Sequence, residues 1–265
     1  MSSANLIWLL ASVAEAAVIG LLLFRRVWRT FPLFFAYSVW TLANSGADYL
    51  IVRNYPLTSP IYVTVYLAGI VVDSVLLFGV LVELGWSILR PVRSSLSPIA
   101  LVPVAFVIFV VGAAIWPFAS YPGASRLSHE VATLMHMQQT FSILRVVVFL
   151  GLAAFSQLLS IGWRDRELQI ATGLGFTSLV GLAVAMIHTH QSSWVQYGHL
   201  NEIVVASYLC SLVYWIVSFA QKEAERKEFT PQMRDFLLAA AGAARSARIG
   251  LTDSRASNIR KPGPR

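Results

Sequence analysis

Charge is scarce in this chain. Only 12% of its 265 residues are Asp, Glu, Lys or Arg, while 57% are hydrophobic. A soluble domain carries about 25% charged and about 45–50% apolar residues. The missing charge is the polar coat that a soluble surface needs. The composition therefore excludes an ordinary cytosolic enzyme, a disordered chain and a fibrous one, and points to a polytopic membrane protein. Cysteine is almost absent: Cys210 stands alone, so neither an intrachain disulfide nor a cysteine-based zinc site can form. Catalytic signatures are missing too. There is no G-x-S-x-G, no phosphate-binding glycine loop and no H-E-x-x-H. Gly173-Leu174-Gly175 is too short for a nucleotide fingerprint and sits in an apolar run.

Long apolar runs are what the chain has instead. A membrane helix needs about 20 mostly apolar residues to cross about 30 Å of hydrocarbon. Seven stretches meet that length, near 5–24, 31–52, 61–89, 98–118, 141–161, 168–187 and 203–221. The expected fold class is all-α: a polytopic membrane protein with seven transmembrane helices. The first run is read as an uncut helix. Ala14-Glu15-Ala16 has the look of a cleavage site, yet no basic residue precedes the run and apolar sequence continues to Phe24. No residue pattern recurs in register, so no internal repeat is read.

The basic residues orient these spans. Arg25, Arg26 and Arg29 follow span one, Arg90 and Arg93 span three, and Arg164 and Arg166 span five, while the opposite short loops hold only Arg53 and Arg126. Seven against two places the N-terminus outside and the C-terminus in the cytoplasm by the positive-inside rule. Trp28, Trp86, Trp163 and Trp194 near span ends suit interfacial belts. This layout accounts for the excess of 20 Lys and Arg over 13 Asp and Glu without nucleic acid, for which no basic-aromatic groove is visible. Seven helices with an outer N-terminus raise the microbial rhodopsins, whose retinal needs a lysine buried in the last span. Lys222, Lys227 and Lys261 all lie at or beyond the end of that span, and the rhodopsin reading fails. The one Pro-Gln pair, Pro231-Gln232, lies in the tail, away from where a PQ-loop sugar-efflux protein carries it.

The domain organisation read from these features is a seven-helix transmembrane unit over 1–221, a cytoplasmic helical tail over 222–250, and a disordered C-terminus over 251–265. In the tail, Glu223 and Lys227 form a favourable i, i+4 pair. Thr230 and Pro231 suit a helix start, and an amphipathic helix over 231–248 would place Met233, Phe236, Leu237, Ala240, Ala241 and Ala244 on one face. That face suits anionic lipid, or a cytoplasmic protein partner docking on 229–250. The expected partners are thus the lipid bilayer and such a protein.

The turn Arg25-Arg26-Val27-Trp28-Arg29-Thr30 followed by Phe31-Pro32-Leu33-Phe34-Phe35-Ala36-Tyr37, with Glu83, Trp163-Arg164 and Phe229-Thr230-Pro231-Gln232, resembles a group of seven-helix proteins of unknown activity from acidobacterial genomes. The resemblance runs over nearly the whole chain, and the arginine-rich turn with FPLFFAY is its distinctive part. It implies a bacterial inner-membrane location and no mechanism. The chain also resembles the multi-helix sensor modules that precede bacterial signalling domains, without an output domain of its own.

Ionisable residues in hydrocarbon cost about 2.5–3.5 kcal/mol on insertion scales and are functional candidates by default. The candidate intramembrane polar site is Glu15, Asp48, Asp73, Arg145 and Glu202. Arg145 is the only cation within the spans and is expected to pair with Asp48 or Glu202 at similar depth, leaving Glu15 and Asp73 without a cation at their level. Such a protonatable acid pair suits proton-coupled transport or pH sensing. Glu83 is expected to snorkel toward Arg90 or Arg164. Polar stripes at helical spacing flank these residues: Tyr37, Thr41, Asn44 and Asp48; Tyr62, Tyr66, Gly69 and Asp73; Gln138, Ser142, Arg145 and Ser156; Ser207, Ser211, Tyr214 and Ser218. They must turn from lipid, either to line a cavity in spans 1, 2, 3, 5 and 7 or to bond helix to helix. Span four is wholly apolar and should be peripheral. Gly173, Thr177, Gly181 and Ala185 in span six, and Ser12, Ala16 and Gly20 in span one, permit close helix packing.

All five histidines fall outside the spans on the outer side: His129, His136, His188, His190 and His199, accompanied by Glu130 and Glu202. Imidazole and carboxylate are common ligands of zinc and iron, and helix-end histidines also ligate haem. The spacing matches no metalloenzyme motif, so no cofactor is expected; a metal or haem held by these histidines is the exception the pattern admits. Three functions follow in order: a receptor-like or accessory membrane protein, a small-solute transporter, and a metal-assisted membrane enzyme.

Overall fold

A computed structural model describes residues 3–55, 59–88, 101–119, 129–154, 165–190 and 194–221. The tail and its amphipathic helix over 231–248, the C-terminal segment 251–265, and Arg90, Arg93, Arg126, Ser156, Trp163 and Arg164 lie outside the described residues. Among the described residues the secondary structure is helical throughout. Seven α-helices follow one another: α1 (Ser3–Phe24), α2 (Pro32–Asn54), α3 (Pro60–Ile88), α4 (Leu101–Ile115), α5 (His129–Ala154), α6 (Arg166–His190) and α7 (Trp194–Ala220). Short 3₁₀ turns follow α1, at Val27–Arg29, and α4, at Trp116–Phe118.

Six of the helices are long and apolar enough to cross a membrane: Leu6–Phe24, Thr64–Ser87, Leu101–Phe118, Ala132–Ala154, Arg166–Ile187 and Glu202–Ala220. This is the build of a multi-pass membrane protein. The remaining helix, α2, is 23 residues long, but Ser38, Thr41, Asn44, Ser45 and Asp48 interrupt its apolar sequence. The fifth helix starts at His129 rather than near 141. Gln138 and Gln139 hid its first turns from a search for apolar runs, because glutamine is helix-compatible but not apolar.

Six helices close a ring. α1 packs on α2, α2 on α3, α3 on α5, α5 on α6, α6 on α7, and α7 returns to α1. The wholly apolar α4 leans on α3 and α5 from outside, and its side chains other than Ile108 are largely turned outward. Helix α1 buries Glu15, Val18 and Leu22, while Ala16 and Gly20 face outward. Its small-residue stripe is therefore not a packing seam. In α6 the stripe divides. A Cβ on Gly173 would meet the Trp215 indole at 2.4 Å, so α6 and α7 close there, whereas Gly181 has nothing within 4 Å.

The core gathers at one end of the ring, where α1, α3 and α7 finish and α2 and α6 begin. Leu22, Phe31, Phe34, Leu77, Leu81, Leu84, Leu168, Leu212 and Phe219 are each 2% exposed or less. Phe34 packs edge-on against Trp215, with ring centroids 5.2 Å apart, and against Phe219 at 6.1 Å. Trp215 completes the joint by donating its indole N–H to the Gln169 carbonyl at 3.0 Å.

Helix termini are satisfied across the bundle at this end. The first N–H groups of α2 have no side-chain cap of their own at Phe31. Instead Glu83, from α3, accepts the Leu33 N–H at 3.0 Å and the Phe34 N–H at 2.9 Å. Glu83 is thus a helix cap, since a carboxylate gains from both the free donors and the positive end of the α2 dipole. The C-terminus of α7 is met by cations. Arg166 donates to the Ser218 and Gln221 carbonyls, both at 2.8 Å, and its guanidinium lies 5.3 Å from the centre of the Phe219 ring. Arg25 donates to the Ala220 carbonyl. The turn that presents Arg25 is closed by Arg26 in the left-handed region, φ 57°, a conformation more often given to glycine.

Glu83→Ala should cost about 1–3 kcal/mol, the penalty for orphaning helix donors that lie among apolar neighbours; thermal unfolding in detergent micelles checks this. The same measurement separates the two glycines. Gly173→Ala should lower the midpoint, because overpacking costs about 1–3 kcal/mol, while Gly181→Ala should leave it unchanged or raise it, because alanine is the better helix former by about 1 kcal/mol.

Candidate intramembrane polar site

Above the packed end the ring interior becomes polar. Glu15 is 3% exposed, on the inward face of α1 that Val18 and Leu22 continue. The Tyr208 hydroxyl, from neighbouring α7, donates to its Oε1 at 2.8 Å. Tyr37 of α2 is buried beside them and feels the charges of Glu15, Asp73 and Arg145. Asp73 on α3 is half-buried, and its electrostatic partner is Arg145 on α5. Five helices, α1, α2, α3, α5 and α7, thus send Glu15, Tyr37, Asp73, Arg145 and Tyr208 into one electrostatically coupled group.

The sequence-predicted residues divide around this group. Glu15, Asp73 and Arg145 are brought together. Asp48 stays on its own helix and accepts from the Asn44 amide at 3.3 Å. Glu202 is exposed near the start of the apolar part of α7. Arg145 lies within electrostatic range of Asp73, α3 and α5 being neighbours in the ring. Tyr208 was not singled out from the sequence. Its signal was a lone phenol at about the depth of Glu15, useful only once α1 and α7 are known to touch.

The α7 stripe is buried at Ser207, Ser211 and Ser218 and the α2 stripe at Tyr37, whereas Tyr66 of the α3 stripe and Gln138 of the α5 stripe are exposed. Asn44 of α2 packs on Gly69 of α3, whose Cβ would meet the Asn44 Oδ1 at 2.9 Å. Ser211 of α7 donates to the Gly173 carbonyl at 3.0 Å and shares a 2.7 Å hydrogen bond with Thr177 of α6. These are interhelical bonds of the kind that hold membrane bundles together. The α5 stripe does something different. With α6 splayed away at Gly181, Gln138, Ser142 and Arg145 line a cavity of about 230 Å³ together with Thr177 and Ser178 of α6. Span six thereby lines the cavity. A larger cavity, about 390 Å³ between α3, α4 and α5, is walled mainly by apolar groups such as Phe78, Ile108 and Phe141.

The histidines lie at the far end from the packed core. His129 is exposed at the start of α5. The His136 ring donates from Nε2 to the Trp116 carbonyl at 2.7 Å and lies 4.3 Å from the Trp116 ring, so this histidine ties α5 to the end of α4. The side chains of His188, His190 and His199 lie outside the described residues. Among the described residues no three His, Cys, Asp or Glu side chains gather as metal ligands do.

Chemically the group can hold a proton on a carboxylate and can oppose an anion with a fixed cation. No family model, curated protein or solved structure matches the chain, so the functional reading rests on this chemistry.

Asp73→Asn and Arg145→Gln should each destabilise the bundle, and the double variant should recover about 0.5–3 kcal/mol relative to their sum, the usual coupling of interacting pairs. Equilibrium unfolding in mixed micelles gives the cycle; strict additivity would show that the two charges do not act on each other.

Proposed function

We propose that the chain is a receptor-like or accessory protein of a bacterial inner membrane. In this reading α2 is the seventh span, the polar stripe of α2 being tolerated because it faces the ring interior. The N-terminus is outside and the C-terminus cytoplasmic, as the excess of arginine in alternate loops requires. The packed end is then the cytoplasmic half, and the polar group and the 230 Å³ cavity occupy the middle and outer half. A periplasmic or bilayer signal enters there and α7 relays it to the tail.

The observation that carries the reading is the reach of α7. The same helix bonds Glu15 through Tyr208, borders the cavity at Val204, packs on Gly173 through Trp215, and ends on Arg25 and Arg166. A shift at its upper half is transmitted to its end because the lower half is close-packed and moves as one body.

A proton-coupled transporter for a small solute is the second reading, favoured by the acids Glu15 and Asp73 held in one coupled group with Arg145. Hydrogen exchange separates the two. A relay couples its ends by about 1–3 kcal/mol, so Glu15→Gln or Arg145→Gln should change exchange rates within 216–250 by about fivefold or more. If exchange in 216–250 stays at the wild-type rate in both variants, and proteoliposomes acidify on solute addition, the relay reading fails and transport replaces it.

A further inference from the structure

The cavity between α5 and α6 has a composition that selects a ligand. Arg145 donates from Nη2 to the Ser142 hydroxyl at 3.1 Å, which fixes the plane of the guanidinium. Its Nε lies buried with no hydrogen-bond partner among the described residues, and so does the Ser178 hydroxyl oxygen. Ser178 is only 3% exposed. An unpaired buried donor costs about 1–3 kcal/mol, more when it is charged. Those two atoms are themselves closed off from the cavity, which is lined by Arg145 together with the polar side chains of Gln138, Gln139, Ser142 and Thr177. Gly181 leaves the wall open where any larger residue would project. No carboxylate lines the cavity.

We propose that this cavity binds a small monocarboxylate, held by the guanidinium of Arg145 with Gln138, Gln139 and Ser142 beside it. The guanidinium fork matches a planar carboxylate. The charge balance limits the ligand to a monoanion: Arg145 is one cation and already shares its field with Asp73. A phosphate dianion would bring two negative charges against it in a poorly solvated site. The volume, about 230 Å³, is roughly that of eight liquid waters, room for a carboxylate with a short carbon chain. The inference rests on the polar interior being a ligand site, and it names the class of ligand for the receptor proposed above.

The test uses full-length protein in lipid nanodiscs, titrated calorimetrically with acetate, propionate and butyrate, and in parallel with phosphate, chloride and oleate. Short carboxylates should bind. Arg145→Gln should weaken them about tenfold or more, the usual worth of a hydrogen bond to a charged group. Gly181→Leu, which fills the cavity and leaves every charge in place, should abolish binding while the thermal midpoint stays at or above the wild-type value. The proposal is overturned if no short carboxylate binds at tens of millimolar, if phosphate or oleate alone binds, or if Gly181→Leu binds as the wild type does. Hydrogen exchange over 216–250 keeps the two ideas apart. Carboxylate binding with unchanged exchange removes the relay and leaves the site; coupled exchange without carboxylate binding removes the ligand class and leaves the relay.

Discussion

A helix end placed among apolar side chains must find its hydrogen bonds within the protein, and the arrangement of this bundle follows from that requirement. The opening N–H groups of α2 take the carboxylate of Glu83, three-quarters of the way along α3. The closing carbonyls of α7 take the guanidinium groups of Arg166 and Arg25. Each contact joins residues 49 or more apart in sequence, and each sets a charge against the helix dipole of opposite sign. Together they fix the depth of α2, α3, α6 and α7 relative to one another. The aromatic joint of Phe34, Trp215 and Phe219 then packs in a single way.

With one end locked, the rest of the ring is free to be polar and less tightly filled. The contrast is visible within α6. Gly173 and Gly175 are pressed by Trp215 and Phe149, while Gly181, two turns on, faces open space. Beside Gly181 lies the cavity of about 230 Å³ that polar side chains of α5 and α6 line. The cost of placing charge in such a setting is offset for Glu15 by the Tyr208 hydroxyl and for Arg145 by the Ser142 hydroxyl.

The same arginines carry two roles. In the sequence Arg25 and Arg166 count toward the charge bias that orients spans. In the fold they close the end of α7. The two roles agree because a helix that stops at the edge of the apolar layer presents its bare carbonyls where basic residues gather.

Much of this was legible without coordinates. The apolar runs, the inward faces of the α2 and α7 stripes and the outlying place of α4 follow from composition and from the 3.6-residue period, which are local properties of the chain. The pairings are not. That Glu83 caps α2, that Arg145 lies in electrostatic range of Asp73, and that Ala16 and Gly20 of α1 turn outward cannot be read from one helix at a time. Periodicity tells which face of a helix is polar but not which neighbour that face meets. That depends on the order of helices around the ring and their relative depth, and both are settled only when the whole bundle packs and its buried helix ends find their partners.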